Sequence, residues 1–103
     1  MKLKKVYIAG HNGMVGSSIL RLLKKEKKYK IITKSKNQLD LTRQEHVCNF
    51  FKKNKFDQVY LSAAKVGGIY ANNKYPAQFI YENLIIQSNI IHSSYLTGVK
   101  KLL

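Results

Sequence analysis

Cysteine occurs once, at Cys48, proline once, at Pro76, and acidic residues only five times in 103 residues. A lone cysteine excludes an internal disulfide framework and fits a reducing compartment. With one proline, and no stretch rich in Pro, Ser or Gly, nothing marks a linker, and no internal repeat is visible. At this length one small domain is the ceiling. No apolar run reaches the roughly 18 residues that a bilayer span needs. The charged start is followed by an apolar stretch of only residues 6–10, too short for a secretory leader, so the default location is the cytoplasm.

Nineteen basic residues outweigh the five acidic ones and give a formal net charge of +14. Hydrophobic residues make up 45% and charged residues 23%, a mix that argues against wholesale disorder. All but Arg21 and Arg43 of the basic residues are lysine. Readers of nucleic acid favour arginine, whose planar fork pairs with phosphate and guanine through two bonds at once. The seven tyrosines are scattered rather than set along one strand face, which also argues against a nucleic-acid partner. Lys24-Lys25-Glu26-Lys27-Lys28 and Lys52-Lys53-Asn54-Lys55 end candidate helices, where cations complement the dipole. A basic surface would in addition steer anionic ligands inward.

Short apolar runs alternate with longer amphipathic ones. Val6-Tyr7-Ile8-Ala9, ended by Gly10, has no polar break and reads as a strand buried on both faces. From Met14 to about Lys28, Val15, Ile19, Leu22 and Leu23 fall on one helical stripe. Ile31-Ile32-Thr33 is the second strand, and Arg43 to Lys55 repeats the helical spacing through Val47, Phe50 and Phe51. Asp57 to Ser62 is the third strand, running into Ala63-Ala64. A glycine-bearing loop, Lys65 to Lys74, leads to a long helix from about Pro76 to Leu96. It is apolar at Phe79, Ile80, Leu84, Ile86, Ile90 and Ile91, which predicts burial on more than one side. This alternation implies βαβ units and an α/β parallel sheet with helices on both faces.

Gly98-Val99-Lys100-Lys101-Leu102-Leu103 reads as a helix stop and the opening of a fourth strand. Parallel strands run about five or six residues, so the expectation is an N-terminal fragment truncated within the fourth strand. Such a cut would leave the first strand with an unpaired edge and the long helix half uncovered, surfaces that invite aggregation.

Gly10-His11-Asn12-Gly13-Met14-Val15-Gly16 spaces its glycines by three where the first strand hands over to the first helix. Gly10 would make the turn, Gly13 would let the backbone approach a pyrophosphate, and Gly16 would let helix and strand pack closely. Free N–H groups and the dipole at the helix start would receive the anion. Sites for NAD place an acidic residue about 20 residues on, to hold the ribose 2′-hydroxyl. Here that position is Lys36, with Lys34 just before it and no carboxylate until Asp40. An ammonium attracts a 2′-phosphate where a carboxylate repels it, so the expected cofactor is NADP(H). Asn37, Gln38, Leu39, Asp40 and Leu41 would lie beside the adenine. Asp40 would accept from its amine or cap the second helix, or both.

These residues resemble the glycine motif of the extended short-chain dehydrogenase/reductases. Within that group, Ala63-Ala64-Lys65-Val66-Gly67-Gly68-Ile69 is similar to the signature of the GDP-L-fucose synthase family. So are Ala71-Asn72-Asn73, Tyr75-Pro76-Ala77, and Asn83 with Ser88-Asn89-Ile90-Ile91-His92. The resemblance runs from Val6 to Leu103 and implies a Rossmann-type fold. Residues 1–103 would be the N-terminal part of an NAD(P)-binding domain without its catalytic and substrate-binding parts. It implies an NADPH-dependent enzyme that epimerises GDP-4-keto-6-deoxy-D-mannose and reduces its C4 ketone to give GDP-L-fucose, working as a homodimer when full-length. By this likeness Gly10 to Gly16 hold the pyrophosphate and Lys36 to Leu41 surround the 2′-phosphate and adenine. Ala63 and Ala64 border the cofactor, and Asn83 has a supporting role. Asn12 stands where the family often carries arginine, which implies a shallower NADP preference. The family's catalytic Ser, Tyr-x-x-x-Lys, Cys and His are expected beyond Leu103, so this chain alone should catalyse nothing. Two alternatives stay open: another NAD(P)-dependent nucleotide-sugar epimerase or dehydratase, and a non-catalytic dinucleotide- or RNA-binding module.

The remaining reactive side chains point to structure. His46 and Cys48 are two apart on one helix and face away from each other, His46 as surface and Cys48 as core filler. His11 lies in the glycine turn, where its backbone matters most, and His92 should be structural within a buried long helix. No spacing among them suits a metal.

Overall fold

The computed structural model describes residues 3–62 and 76–103. Among them the chain runs β1 (Lys4–Ala9), α1 (Met14–Glu26), β2 (Tyr29–Thr33), α2 (Gln44–Asn54), β3 (Gln58–Leu61), α3 (Pro76–Thr97) and β4 (Lys101–Leu102). The strands pair in the order β2-β1-β3-β4, and each pairing is parallel. This is the parallel α/β sheet that the alternation implies, in the Rossmann-type form that the resemblance implies.

β1 sits inside the sheet, with Val6 opposite Ile31 of β2 and also opposite Gln58 of β3. The expectation of an unpaired edge on β1 is therefore wrong. The connection from β2 to β3 crosses over β1, so β1 is flanked on both sides, and β2 and β4 are the outer described strands. Asp57 fastens the start of this arrangement. Its Oδ2 accepts from the Lys5 N–H at 2.8 Å, and its carbonyl oxygen accepts from the Lys100 N–H at 3.0 Å.

β1 is apolar from Val6 to Ala9 because each face meets a different layer. Val6 and Ile8 pack with Leu23 of α1, flanked by Ile19, Leu20, Ile31 and Tyr60. Tyr7 and Ala9 point the other way, to Val47 and Phe51 of α2, Ile86 and Ile90 of α3, and Phe56. Tyr7 lies 4.9 Å from Phe50, 5.8 Å from Phe51 and 5.3 Å from Phe56, measured between ring centroids. Burial holds the Tyr7 phenol far above its ordinary pKa, so it stays neutral.

Two helical stripes differ from expectation. On α1, Val15 and Leu22 are 63% and 64% exposed, while Gly16 and Leu23 are buried. The helix is rotated so that Gly16 faces the sheet, and that choice turns residues 15 and 22 outward. On α3, Ile86 and Ile90 are buried, but Ile80, Leu84 and Ile91 are exposed, as are Tyr81, Tyr95 and Leu96. The described partners of α3, chiefly α2, cover one side only. Among the described residues the helix is half uncovered, as the truncation reading expects, rather than buried on more than one side. The side chain of Phe79 lies outside the described residues. His92 accordingly faces outward instead of lying in a core, and Cys48 is half-buried rather than a core filler, while His46 is exposed.

α1 and α2 stop where Lys27 (φ 52°) and Lys55 (φ 53°) turn into the left-handed region. That conformation costs a residue with a Cβ about 1–2 kcal/mol, and glycine is the usual residue there. Replacing Lys55→Gly is therefore expected to raise stability by about 0.5–1 kcal/mol, read as a higher urea midpoint with an unchanged slope.

Candidate functional site

Beyond the carboxyl end of β1 the chain must leave the sheet and start α1 within a few residues. Gly10 makes that turn at φ 84°, a region open to glycine at little cost. Its carbonyl oxygen accepts from the Gly13 N–H at 3.0 Å. Gly13 caps α1 in an extended conformation (φ −77°) with no side-chain capping bond, and no acidic residue stands in the first turn. The opening N–H groups of α1 therefore form a bare positive end. Gly16 is buried against the turn. A Cβ there would fall on the Gly10 carbonyl, 2.7 Å from its carbon, and 2.8 Å from Ser62 Oγ. At Gly13 the nearest atom to such a Cβ is the Gly10 oxygen at 3.4 Å, so the chain itself tolerates a side chain there.

The loop after β2 forms the second wall, and its own side chains shape it. The Ser35 N–H donates to Gln38 Oε1 at 2.9 Å, and the Gln38 N–H donates back to Ser35 Oγ at 3.3 Å. This reciprocal pair, of the kind that caps helices, closes a turn with Lys36 in it. Asp40 Oδ1 accepts from the Thr42 N–H at 3.0 Å and the Thr42 hydroxyl at 2.6 Å. Those bonds, with smaller help from Arg43 and Lys36, hold the Asp40 carboxyl below its ordinary pKa. Helix capping, one of the two roles expected of Asp40, is not what the structure shows. Its carboxylate is used on Thr42, and Arg43 caps α2 without a side-chain bond.

The two walls enclose a cavity of about 450 Å³. Gly10, His11 and Asn12 line one side. Lys34, Ser35 and Lys36 line the other, continuing through Leu39, Asp40, Leu41 and Thr42. Glu82 and Ile86 of α3 close the base. Of the residues expected to hold a cofactor, Gly10, His11, Asn12, Lys36, Leu39, Asp40 and Leu41 thus meet in one cleft. Gly13, Met14, Val15 and Gly16 form the adjoining helix start without lining it, and Asn37 and Gln38 are exposed. Asn83 is half-buried on α3. Ala63 and Ala64 lie outside the described residues. So does Tyr70-Ala71-Asn72-Asn73-Lys74, a Tyr-x-x-x-Lys spacing that occurs well before Leu103, where that motif is expected to be absent.

Sequence reasoning missed Ser35, Thr42, Glu82 and Ile86 as lining residues. It also missed Ser62, whose Oγ donates to the Ala9 carbonyl at 2.7 Å and so ties the ends of β1 and β3 together. Ser35 had a legible signal, the Ser-x-x-Gln spacing to Gln38. Glu82 and Ile86 had none, because only packing brings α3 under the cleft.

Lysine placement separates the cleft from the rest of the surface. Every other described lysine lies at the opposite edge of the sheet. Lys4, Lys5, Lys30 and Lys101 open strands, Lys100 precedes β4, and Lys24, Lys25, Lys27, Lys28, Lys52, Lys53 and Lys55 end helices. Lys34 and Lys36 alone among them stand at the carboxyl edge.

Two outcomes follow for the site's framework. Gly16→Val should drive α1 off β1 and abolish the cooperative unfolding transition, followed by circular dichroism on heating. Asp40 has a lowered native pKa, so the stability it contributes is complete above the unfolded carboxylate pKa of about 4. That contribution is lost as pH falls through the lower native value. The denaturation midpoints of the chain and of Asp40→Asn should therefore differ at pH 7 and converge in acid.

The model of the NAD dependent epimerase/dehydratase family matches residues 6–103. GDP-L-fucose synthase 1 of Arabidopsis thaliana is 54% identical over 102 residues, which is 99% of this chain and 32% of the plant protein. GDP-L-fucose synthase of Escherichia coli (strain K12) is 50% identical over 103 residues, 100% of this chain and 32% of the bacterial one. Among solved structures, MlghC, a GDP-mannoheptose C4 reductase from Campylobacter jejuni with NADP bound, superposes with a TM-score of 0.91. It is 43% identical, over 99% of this chain and 32% of its own. The chain thus spans about a third of the length of these relatives. The match takes in the glycine turn, the loop after β2 and all the strands but the first residues of β1, and on that extent the chain belongs to the NAD dependent epimerase/dehydratase family.

Proposed function

We propose that these residues are the NADP(H)-binding, N-terminal part of a GDP-L-fucose synthase, which converts GDP-4-keto-6-deoxy-D-mannose to GDP-L-fucose. The observation that carries the reading is the pairing of Lys34 and Lys36 with the glycine turn across one cleft. The groups present fit such a coenzyme. The bare start of α1 suits the pyrophosphate, and Gly13, which nothing inside the chain requires, leaves room for its approach. The two ammonium groups suit a 2′-phosphate, and Leu39, Leu41 and Ile86 offer apolar surface to a purine. NADPH, when bound, supplies the hydride for the C4 ketone. This chain's own residues bind and orient it. MlghC, so similar over this region, is described with NADP bound.

The same reading takes a GDP-sugar as partner of the full-length enzyme, in the cytoplasm. Among the described residues no helix is long and apolar enough to cross a membrane. The exposed apolar side of α3, with Ile80, Leu84 and Ile91, suits the interface of a homodimer. A second reading keeps the cofactor and changes the sugar, since MlghC acts as a GDP-mannoheptose C4 reductase.

Titration separates these ideas. NADPH is expected to bind more tightly than NADH. A charged hydrogen bond is worth about 1.5–3 kcal/mol, or roughly ten- to a hundredfold. Lys36→Ala should therefore weaken NADPH by about tenfold or more and leave NADH unchanged. Equal affinity for the two coenzymes would remove the Lys34 and Lys36 argument. The 103 residues alone should not turn over the 4-keto sugar, and turnover would overturn the division of labour.

A further inference from the structure

Asn89 lies on α3, outside the cavity wall, and is only 9% exposed. Its Nδ2 donates to the Leu41 carbonyl oxygen at 2.8 Å, across 48 residues of sequence. Leu41 lines the cleft, and so does Ile86, one helical turn before Asn89. One helix therefore supplies an apolar wall directly and grips the facing wall through an amide. Asparagine is a poor choice for a helix interior on propensity alone. Its neighbours Ile86, Ile90, Ser93 and Ser94 on the buried side of α3 are apolar or small. The bond also satisfies a carbonyl in a loop where Asp40 already holds the Thr42 N–H and hydroxyl.

We infer that Asn89 is a positioning residue whose amide fixes the separation of Leu41 from Ile86, and with it the width of the slot for the adenosine end of the coenzyme. The inference rests on the dinucleotide reading given above. Removing the donor leaves the ligand-contacting groups in place but lets the wall move. Asn89→Asp is the sharpest variant, because it keeps the shape and turns a donor into an acceptor facing a carbonyl oxygen.

The test titrates adenosine 2′,5′-bisphosphate, and separately inorganic pyrophosphate, into the full chain and into Asn89→Asp and Asn89→Ala. Bisphosphate affinity should fall roughly tenfold in the variants, while pyrophosphate affinity at the glycine turn stays constant. Parallel weakening of both ligands, as general loosening of the fold would give, overturns the inference. So does unchanged bisphosphate affinity. If neither variant folds, NMR of the unaltered chain decides. Slow exchange of the Asn89 side-chain amide with water, and a shift of its resonance on saturation with bisphosphate, support the role. Rapid exchange or an indifferent resonance overturns it. An unaltered chain that binds neither ligand overturns the dinucleotide reading itself, and this inference with it.

Discussion

The contact between the backbones of Gly16 and Gly10 governs the rest of the molecule. A Cβ at residue 16 would collide with the Gly10 carbonyl, whose oxygen also accepts the Gly13 N–H that closes the turn. The approach sets the rotation of α1 about its axis. Gly16 and Leu23 face the sheet, and Val15 and Leu22 go to solvent although their spacing would serve equally well. It also aims the start of α1 at the crevice beyond β1. There the crossover direction reverses, with β2 on one side and β3 on the other, which is where open α/β sheets bind ligands. Ser62 completes the joint from β3, with Oγ 2.7 Å from the Ala9 oxygen.

The loop after β2 is arranged before any ligand reaches it. Residues 35–38 are closed by the reciprocal Ser35 and Gln38 bonds, residues 40–42 by the Asp40 carboxylate, and Leu41 by Asn89. Ordering a mobile loop subtracts from binding free energy, commonly by about 0.5–1.5 kcal/mol for each side chain immobilised. Here much of that ordering is complete in the fold. The depressed pKa of Asp40 is a sign of the same arrangement: the carboxylate is held by local donors and stays ionised to serve the turn.

Much of this was legible in the sequence. The unbroken apolar run of β1, the three glycines and the lysines after β2 each carry a local physical signature. The parallel sheet and the cleft at its carboxyl edge follow from them with general rules of handedness and topology, whereas the interior place of β1 does not. What failed was long-range. A helical stripe names several faces, and only the Gly16 contact chooses between Leu22 and Leu23. The composition of α3 is apolar all round, so the side that stays uncovered depends on what lies beside it. The position of Asp40 allows an adenine contact, a helix cap or both, yet Thr42 sits nearer and offers its carboxylate two donors. Glu82 and Ile86 enter the cleft from the far end of the chain order, which no local pattern encodes.

The charge distribution decides how the basic composition should be understood. A net charge of +14 makes any two lysines weak support for a phosphate site, since such a chain scatters ammonium groups widely. The sheet sorts them. Strand starts and helix ends share one edge in a parallel α/β fold, and the lysine-rich helix ends complement the carbonyl poles there. The cleft is at the other edge, beside the positive pole of α1, where a further cation is disfavoured unless an anion is to be bound. Lys34 and Lys36 stand there against the dipole, with the only nearby described carboxylates being Asp40, committed to Thr42, and Glu82 at the base. A general surplus of lysine accounts for the far edge and does not account for these two. Their location, rather than their number, is the physical ground for a doubly anionic ribose.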